Sequence, residues 1–220
     1  MQTGHQPATR HLACHLDREQ RNMAIIQRCS LLLTPFLLAA CSTMADRLQG
    51  SITPPPGYGY AIVSLTAKAF DQDSANTGLH IADSSGHVVA NGRASMNTDT
   101  VFGEEGMSPV DGRLLLFALP PGHYQVADAW GNWVEESGWG SQWRSVTLPV
   151  QAGFDISAGN SVYLGEVFLD LSMRPELKLS NQQKRDFGHM QRVWKVNNLS
   201  TVRISPLQTS ISEQATPASH

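Results

Sequence analysis

The chain has 220 residues, a net charge of −3, an apolar fraction of 41% and a charged fraction of 16%. That balance excludes disorder along the whole length, which needs more charge and less apolar surface, and it suits one domain with appendages. From Cys41 onward there are 12 Lys/Arg against 17 Asp/Glu, with no basic cluster. The phosphate neutralisation that nucleic-acid binding rests on is therefore excluded.

In chain order, the first feature is the apolar run Ser30 to Ala40. Crossing the hydrocarbon of a bilayer takes roughly 20 apolar residues, so this run is too short to span and has the length of a signal-peptide core. Its end, Leu38-Ala39-Ala40-Cys41, resembles the lipobox of bacterial lipoproteins, in which an aliphatic and two small residues precede the cysteine that takes a diacylglycerol. The resemblance implies that residues 1–40 are a signal peptide and that Cys41 is the lipidation site. A buried strand or helix would need neither the small-small-Cys ending nor the polar Ser42 to Asp46 that follows. The stretch before the run is long and carries Asp17 and Glu19, whereas Met23-Ala24-Ile25-Ile26-Gln27-Arg28 reads as a better start. Ser42, by the same resemblance, implies the outer membrane and its periplasmic face, where Asp would favour the inner one. One acyl chain, at about 0.8 kcal/mol per buried methylene, binds marginally, and the two or three of a processed lipoprotein anchor stably. With Cys14 and Cys29 removed and Cys41 acylated, no intramolecular disulfide and no thiol nucleophile remains.

Residues 41–59, with Pro54-Pro55-Pro56, read as a lipidated tether whose proline run is an extended spacer. From Tyr60 the texture is that of strands. Tyr60 to Ala67 is β-prone, and Leu79 to Ala82 and His87 to Ala90 flank the turn signal Asp83-Ser84-Ser85-Gly86. Asn91 to Asp111 reads as a long loop, and Arg113 to Leu119 as a central strand. Pro120-Pro121-Gly122 turns into His123 to Val126. Strands are expected again at Arg144 to Val150, Phe154 to Ile156 and Ser161 to Leu171, the last with Tyr163, Gly165, Val167, Leu169 and Leu171 on one face. Ser180-Asn181-Gln182-Gln183 has capping-box form, with Phe187, Met190 and Trp194 at helical spacing after it, although Gly188 weakens such a helix by about 1 kcal/mol. Residues 60–207 are thus expected to be mainly β, an antiparallel β-sandwich with one C-terminal helix, and 208–220 a polar, disordered tail.

Leu115 to Val126 is similar to the strand-turn-strand of prealbumin-like (carboxypeptidase regulatory-like) β-sandwiches, and Gly153 to Gly165 resembles a hairpin of bacterial lipoproteins with that fold. The pattern has a structural reason: Pro and Gly set the turn, while Tyr124 packs its ring and its hydroxyl reaches a backbone group. Domains of this kind serve as spacers, binding modules or accessory domains, so the resemblance implies a fold and no activity.

Four of the five tryptophans, Trp130, Trp133, Trp139 and Trp143, fall in one glycine-containing stretch. They read either as a loop that stacks on sugar rings or grips a partner, or as packing that closes the end of the sandwich or pairs across a hairpin. Glu104-Glu105 and Glu135-Glu136 are adjacent pairs, and neighbours on a strand point to opposite faces, so adjacency alone makes no acid/base dyad. His80, His87 and His123 lack metal-ligand spacing. No G-x-S-x-G elbow, Walker loop or dinucleotide fingerprint occurs, so no cofactor is expected. The expectation is a non-catalytic envelope lipoprotein that binds an envelope protein or cell-wall glycan. The alternatives are a glycan- or peptide-acting hydrolase using the carboxylates around Glu104 and Glu135, and a passive structural spacer.

Overall fold

Strand β1 (Gly59–Lys68) is buried on both faces, because Ala61, Val63 and Leu65 face a second sheet while Ile62, Ser64 and Thr66 face a helix. The computed structural model that shows this describes residues 43–138 and 140–208. The expected signal segment 1–40 with Met23, the expected lipidation site Cys41, Ser42, Trp139 and the residues from 209 lie outside the described residues.

The elements after β1 are β2 (Asn76–Asp83), β3 (Val88–Ser95), β4 (Thr100–Val101), β5 (Val110–Leu119), β6 (Gly122–Ser137), β7 (Gly140–Ile156), β8 (Ser161–Asp170), β9 (Glu176–Ser180) and β10 (Val202–Ile204). A short helix α1 (Met44–Leu48) precedes β1, and α2 (Gln183–Arg192) lies between β9 and β10. Sheet I has the order β10-β8-β1-β5-β4, with β9 also on β8; sheet II is β3-β2-β6-β7. Their inner faces share one hydrophobic core, which includes Leu65, Leu79, Ile81, Val126, Phe154, Val167 and Leu169.

The chain is mainly β with two sheets and one C-terminal helix, but sheet I is mixed. Both β1 and β10 run parallel to β8, which corrects the antiparallel expectation. Turn spacing shows where strands reverse; it does not show which strand a distant one joins. The hairpins themselves follow the sequence. Asp83 Oδ1 accepts from the Ser85 and His87 backbone N–H groups, and Gly86 supplies a φ of +84°. After Pro120-Pro121-Gly122, the Tyr124 hydroxyl donates to the Pro120 carbonyl at 2.9 Å.

Three further expectations change. Residues 44–52 do not extend as a free spacer: Leu48 and Ile52 pack in an outer cluster with Ile62, Leu114, Tyr163, Met190 and Trp194. The stretch 91–111 is only partly loop, since β3 runs to Ser95 and β4 and β5 take its end. From Leu114 to Leu119 strand β5 is apolar because it serves both clusters, Leu115 and Leu119 the inner one and Leu114 and Leu116 the outer; it is not central, as only the two-residue β4 pairs beyond it.

Strand β8 departs most from its pattern. Ile62 pairs with Tyr163 but Ser64 with Glu166, so β8 carries an extra residue there. Gly165 sits in that bulge with φ +87°, and the parity of side chains flips across it. Tyr163 therefore joins the outer cluster while Val167, Leu169 and Leu171 join the inner one. The capping box does not form either. The Ser180 hydroxyl donates to Glu166 Oε2, the Gln182 side chain makes no cap, and the Gln183 N–H at the helix start donates to Asn181 Oδ1 instead. Gly188 is explained by packing, because a Cβ there would lie 2.3 Å from the Glu104 backbone nitrogen.

Candidate functional site

Two places gather chemistry-bearing side chains. The first is under α2, on the outer face of sheet I. Arg185 bridges two carboxylates, donating from Nη1 to Glu166 Oε1 at 2.7 Å and from Nε to Asp186 Oδ1 at 2.8 Å. Each carboxylate also takes two hydroxyl donors: Thr66 and Ser180 for Glu166, Ser64 and Tyr163 for Asp186. Arg185 Nη2 donates to Ser64 Oγ. Sequence reasoning missed this network, since Ser64 and Asp186 are 122 residues apart.

Asp186 is fully buried, and that burial pushes its carboxyl above the usual range against Arg185, Tyr163 and Ser64, which lower it. Burial would weaken the Arg185 charge, but Asp186 and Glu166 outweigh it and raise its pKa. Burial also raises the Tyr163 hydroxyl far above its ordinary value, so it stays protonated and donates. A cleft of about 450 Å³ reaches the network past Thr66, Lys68, Gln72 and Asp111. Both carboxylates are already spent on three donors each, so the network orients the helix rather than offering a free acid or base.

His189, on the same helix, is buried and accepts from the Phe102 backbone N–H through Nδ1 at 3.1 Å. Burial, helped by Arg185 and Arg192, lowers its pKa to about 4, so it is neutral at pH 7. The unfolded chain takes this proton near pH 6.5 and the folded one only near 4, so the contribution is complete above 6.5 and is lost as pH falls between them. The loss amounts to about 3 kcal/mol. His189→Gln should remove that slope: urea midpoints at pH 7 and 4.5 are expected to differ less in the variant than in wild type, and equal differences would overturn the assignment.

The second place is the outer face of sheet II. Both helices belong to the sheet I cluster through Leu48 and Met190, whereas Arg93, Trp143, Ser145 and Thr147 on sheet II are exposed. The tryptophan stretch is strand rather than loop. It forms the β6–β7 hairpin, whose ladder runs from Gly122↔Ile156 to Ser137↔Gly140, while β2 pairs with β6 only as far as Asn132. Residues 133–137 and 140–144 therefore continue as a two-stranded ribbon.

The tryptophans separate by face. Trp133 is 7% exposed and belongs to the inner core, so it is packing and not a stacking platform. Trp130 lies on the outer face over Gly78, whose added Cβ would come within 2.3 Å of the ring. Trp143, opposite Val134 on the same face, is 70% exposed. Trp139 lies outside the described residues.

The loop carboxylates are separately engaged. Glu104, in the turn after β4, pairs with Lys184 of α2 at 3.4 Å, whereas Glu135 on β6 pairs with Arg144 on β7. His80 pairs with Asp128, His123 with Asp155 and His87 with Ser85. Among the described residues no group of three or more His, Cys, Asp or Glu is placed to hold a metal, and no helix is long and apolar enough to cross a membrane.

No family model and no curated protein matches the chain. Among solved structures it is similar to a leucine-rich repeat protein from Bacteroides thetaiotaomicron at 15% identity and a TM-score of 0.31. That match covers 53% of this chain and 14% of the other, a likeness too slight to support any inference.

Proposed function

We propose that the protein is a lipid-anchored binding module of the bacterial envelope, held through Cys41 at the periplasmic face of the outer membrane, and that it engages an envelope protein or cell-wall glycan through the outer face of sheet II. The observation that carries the binding role is the ribbon: β6 and β7 outrun the sheet and present the exposed Trp143. A large aromatic ring held out on a paired ribbon costs solubility unless something covers it, and such rings are enriched where partners dock. The anchor is supported by Leu38-Ala39-Ala40-Cys41. The strand-turn-strand with Tyr124 on the Pro120 carbonyl supports kinship with prealbumin-like sandwiches.

The ribbon also has reach. The chain enters beside Ser161, whose hydroxyl donates to the Ile52 carbonyl, and Gly59 lies against Ile156 at the base of the hairpin. Sixteen residues of β6 then carry the tip roughly 50 Å from that base at the usual rise of a strand.

The test is in-cell photocrosslinking. A crosslinking residue at position 143 should capture a partner, one at exposed position 184 on α2 should not, and Trp143→Ala should cut co-purification about tenfold without moving the thermal midpoint. Cys41→Ser should shift the protein from the membrane to the soluble fraction. Capture from 184 equal to that from 143 would overturn the face assignment, and no capture from 143 would leave the passive spacer.

A further inference from the structure

The registers of sheet II order its outer face into rows across β3, β2, β6 and β7. One row is Arg93, Gly78, Trp130 and Thr147; the next is Ser95, Asn76, Asn132 and Ser145. Beside these rows lies a cleft of about 460 Å³ that reaches Thr98, Asp99 and Arg113. Gly78 lets the Trp130 indole lie against the sheet instead of standing off it. The Asn76 side-chain nitrogen donates to the Ser74 carbonyl at 3.1 Å, which orients that amide, and Asn132 stands directly opposite in the ladder.

The two arginines of the cleft differ. Arg113 is paired with Asp99 at 3.3 Å. The Arg93 guanidinium lies 5.7 Å from the Trp130 ring centre, and no carboxylate pairs with it among the described residues. The backbone groups of β2 and β6 are already used in ladders to strands on both sides, so recognition here falls to side chains. That disfavours an extended peptide, which takes backbone hydrogen bonds at a strand edge. A flat ring, two opposed amides, hydroxyls and one unpaired cation suit a ligand rich in hydroxyl groups, with an apolar C–H face and a negative charge.

We propose that this cleft binds a saccharide bearing a carboxylate. Trp130 takes the C–H face of a pyranose ring, Asn76 and Asn132 take neighbouring hydroxyls, and Arg93 takes the carboxylate. The proposal rests on the outer face of sheet II being the binding face, and it names the class of ligand.

The experiment is calorimetric titration of the full chain with tri-galacturonic acid and a disaccharide containing N-acetylmuramic acid, each compared with its methyl ester. At least one acid is expected to bind, its ester about tenfold more weakly. Arg93→Gln should erase that difference, so that acid and ester bind with equal affinity. Trp130→Ala should weaken acid and ester alike, and because it also uncovers Gly78, its thermal midpoint is measured alongside. Equal affinity for acid and ester, an unchanged preference in Arg93→Gln, or no binding of either acid would overturn the proposal. If position 143 still captures a partner in cells in that case, the binding face stands and only the ligand class falls; if both fail, both readings fall.

Discussion

Replacing Arg185 with Met is expected to lower the unfolding free energy by about 3–5 kcal/mol, the usual cost of removing one partner from a buried ion network. The side chain sits between Glu166 and Asp186 and holds both at hydrogen-bond distance. In the variant each carboxylate keeps its two hydroxyl donors, Thr66 and Ser180 or Ser64 and Tyr163, but two negative charges remain buried without a cation. The folded pKa of Asp186, already raised by burial, then rises further above that of the unfolded chain. At this carboxyl the folded variant binds more protons than the unfolded one, so its deficit relative to wild type is largest near neutral pH and shrinks as pH falls through the raised value. Urea unfolding of both proteins at pH 7 and pH 4.5 measures this. A deficit that grows on acidification would contradict the charge assignment. Because both Asp186 and Arg185 belong to α2, the amides of that helix should lose hydrogen-exchange protection before those of β1 and β8.

Replacing Gly165 with Ala is expected to cost about 3 kcal/mol, from two sources. A non-glycine residue at φ +87° is strained by about 1–2 kcal/mol. The new Cβ would also lie 2.5 Å from the Ser180 backbone oxygen, an atom held in place by β9. For a chain of this size the loss corresponds to a thermal midpoint lower by about 6–12 °C. A second effect separates this position from an ordinary glycine. The bulge is what turns both Tyr163 and Glu166 toward α2, so a variant that closes the bulge should also weaken the Arg185 network and expose α2 to exchange. A drop below about 1 kcal/mol would show that β8 can regularise at little cost, and the functional importance of the parity flip would fall with it.

Much of the strand and turn layout was legible from residues close in sequence. The turn at Asp83 to Gly86 is specified by an aspartate that bonds its own following backbone and a glycine that takes positive φ. The Ser180 to Gln183 signal marked a real helix, yet for a reason other than the one it suggested, since Ser180 turns to Glu166 rather than to the helix start. The tryptophan stretch left a loop and a hairpin both open because of its glycines, and the structure shows the hairpin. Gly131, inside it, is small to admit Leu171, which a Cβ would meet at 2.7 Å; close packing and turn formation leave the same residue in the sequence. The same ambiguity hid the function of each ring, because Trp130 and Trp133 lie three apart on a strand and so face opposite ways.

The amino-acid sequence by itself determined that this protein is mainly β, that the chain turns at Asp83 to Gly86 and at Pro120 to Gly122, and where its one C-terminal helix lies, because turn dihedrals and side-chain periodicity depend on residues a few positions apart. It also contains the lipobox-like ending at Cys41, a pattern of local chemistry. The tertiary structure alone decided that β8 lies parallel to β1, that residues 44–52 pack on the domain, that Ser64 and Asp186 meet inside it, and that of the described tryptophans in the β6–β7 hairpin one is core and two face outward. Each of those outcomes depends on a partner tens to more than a hundred residues away, and no local pattern encodes which partner will arrive.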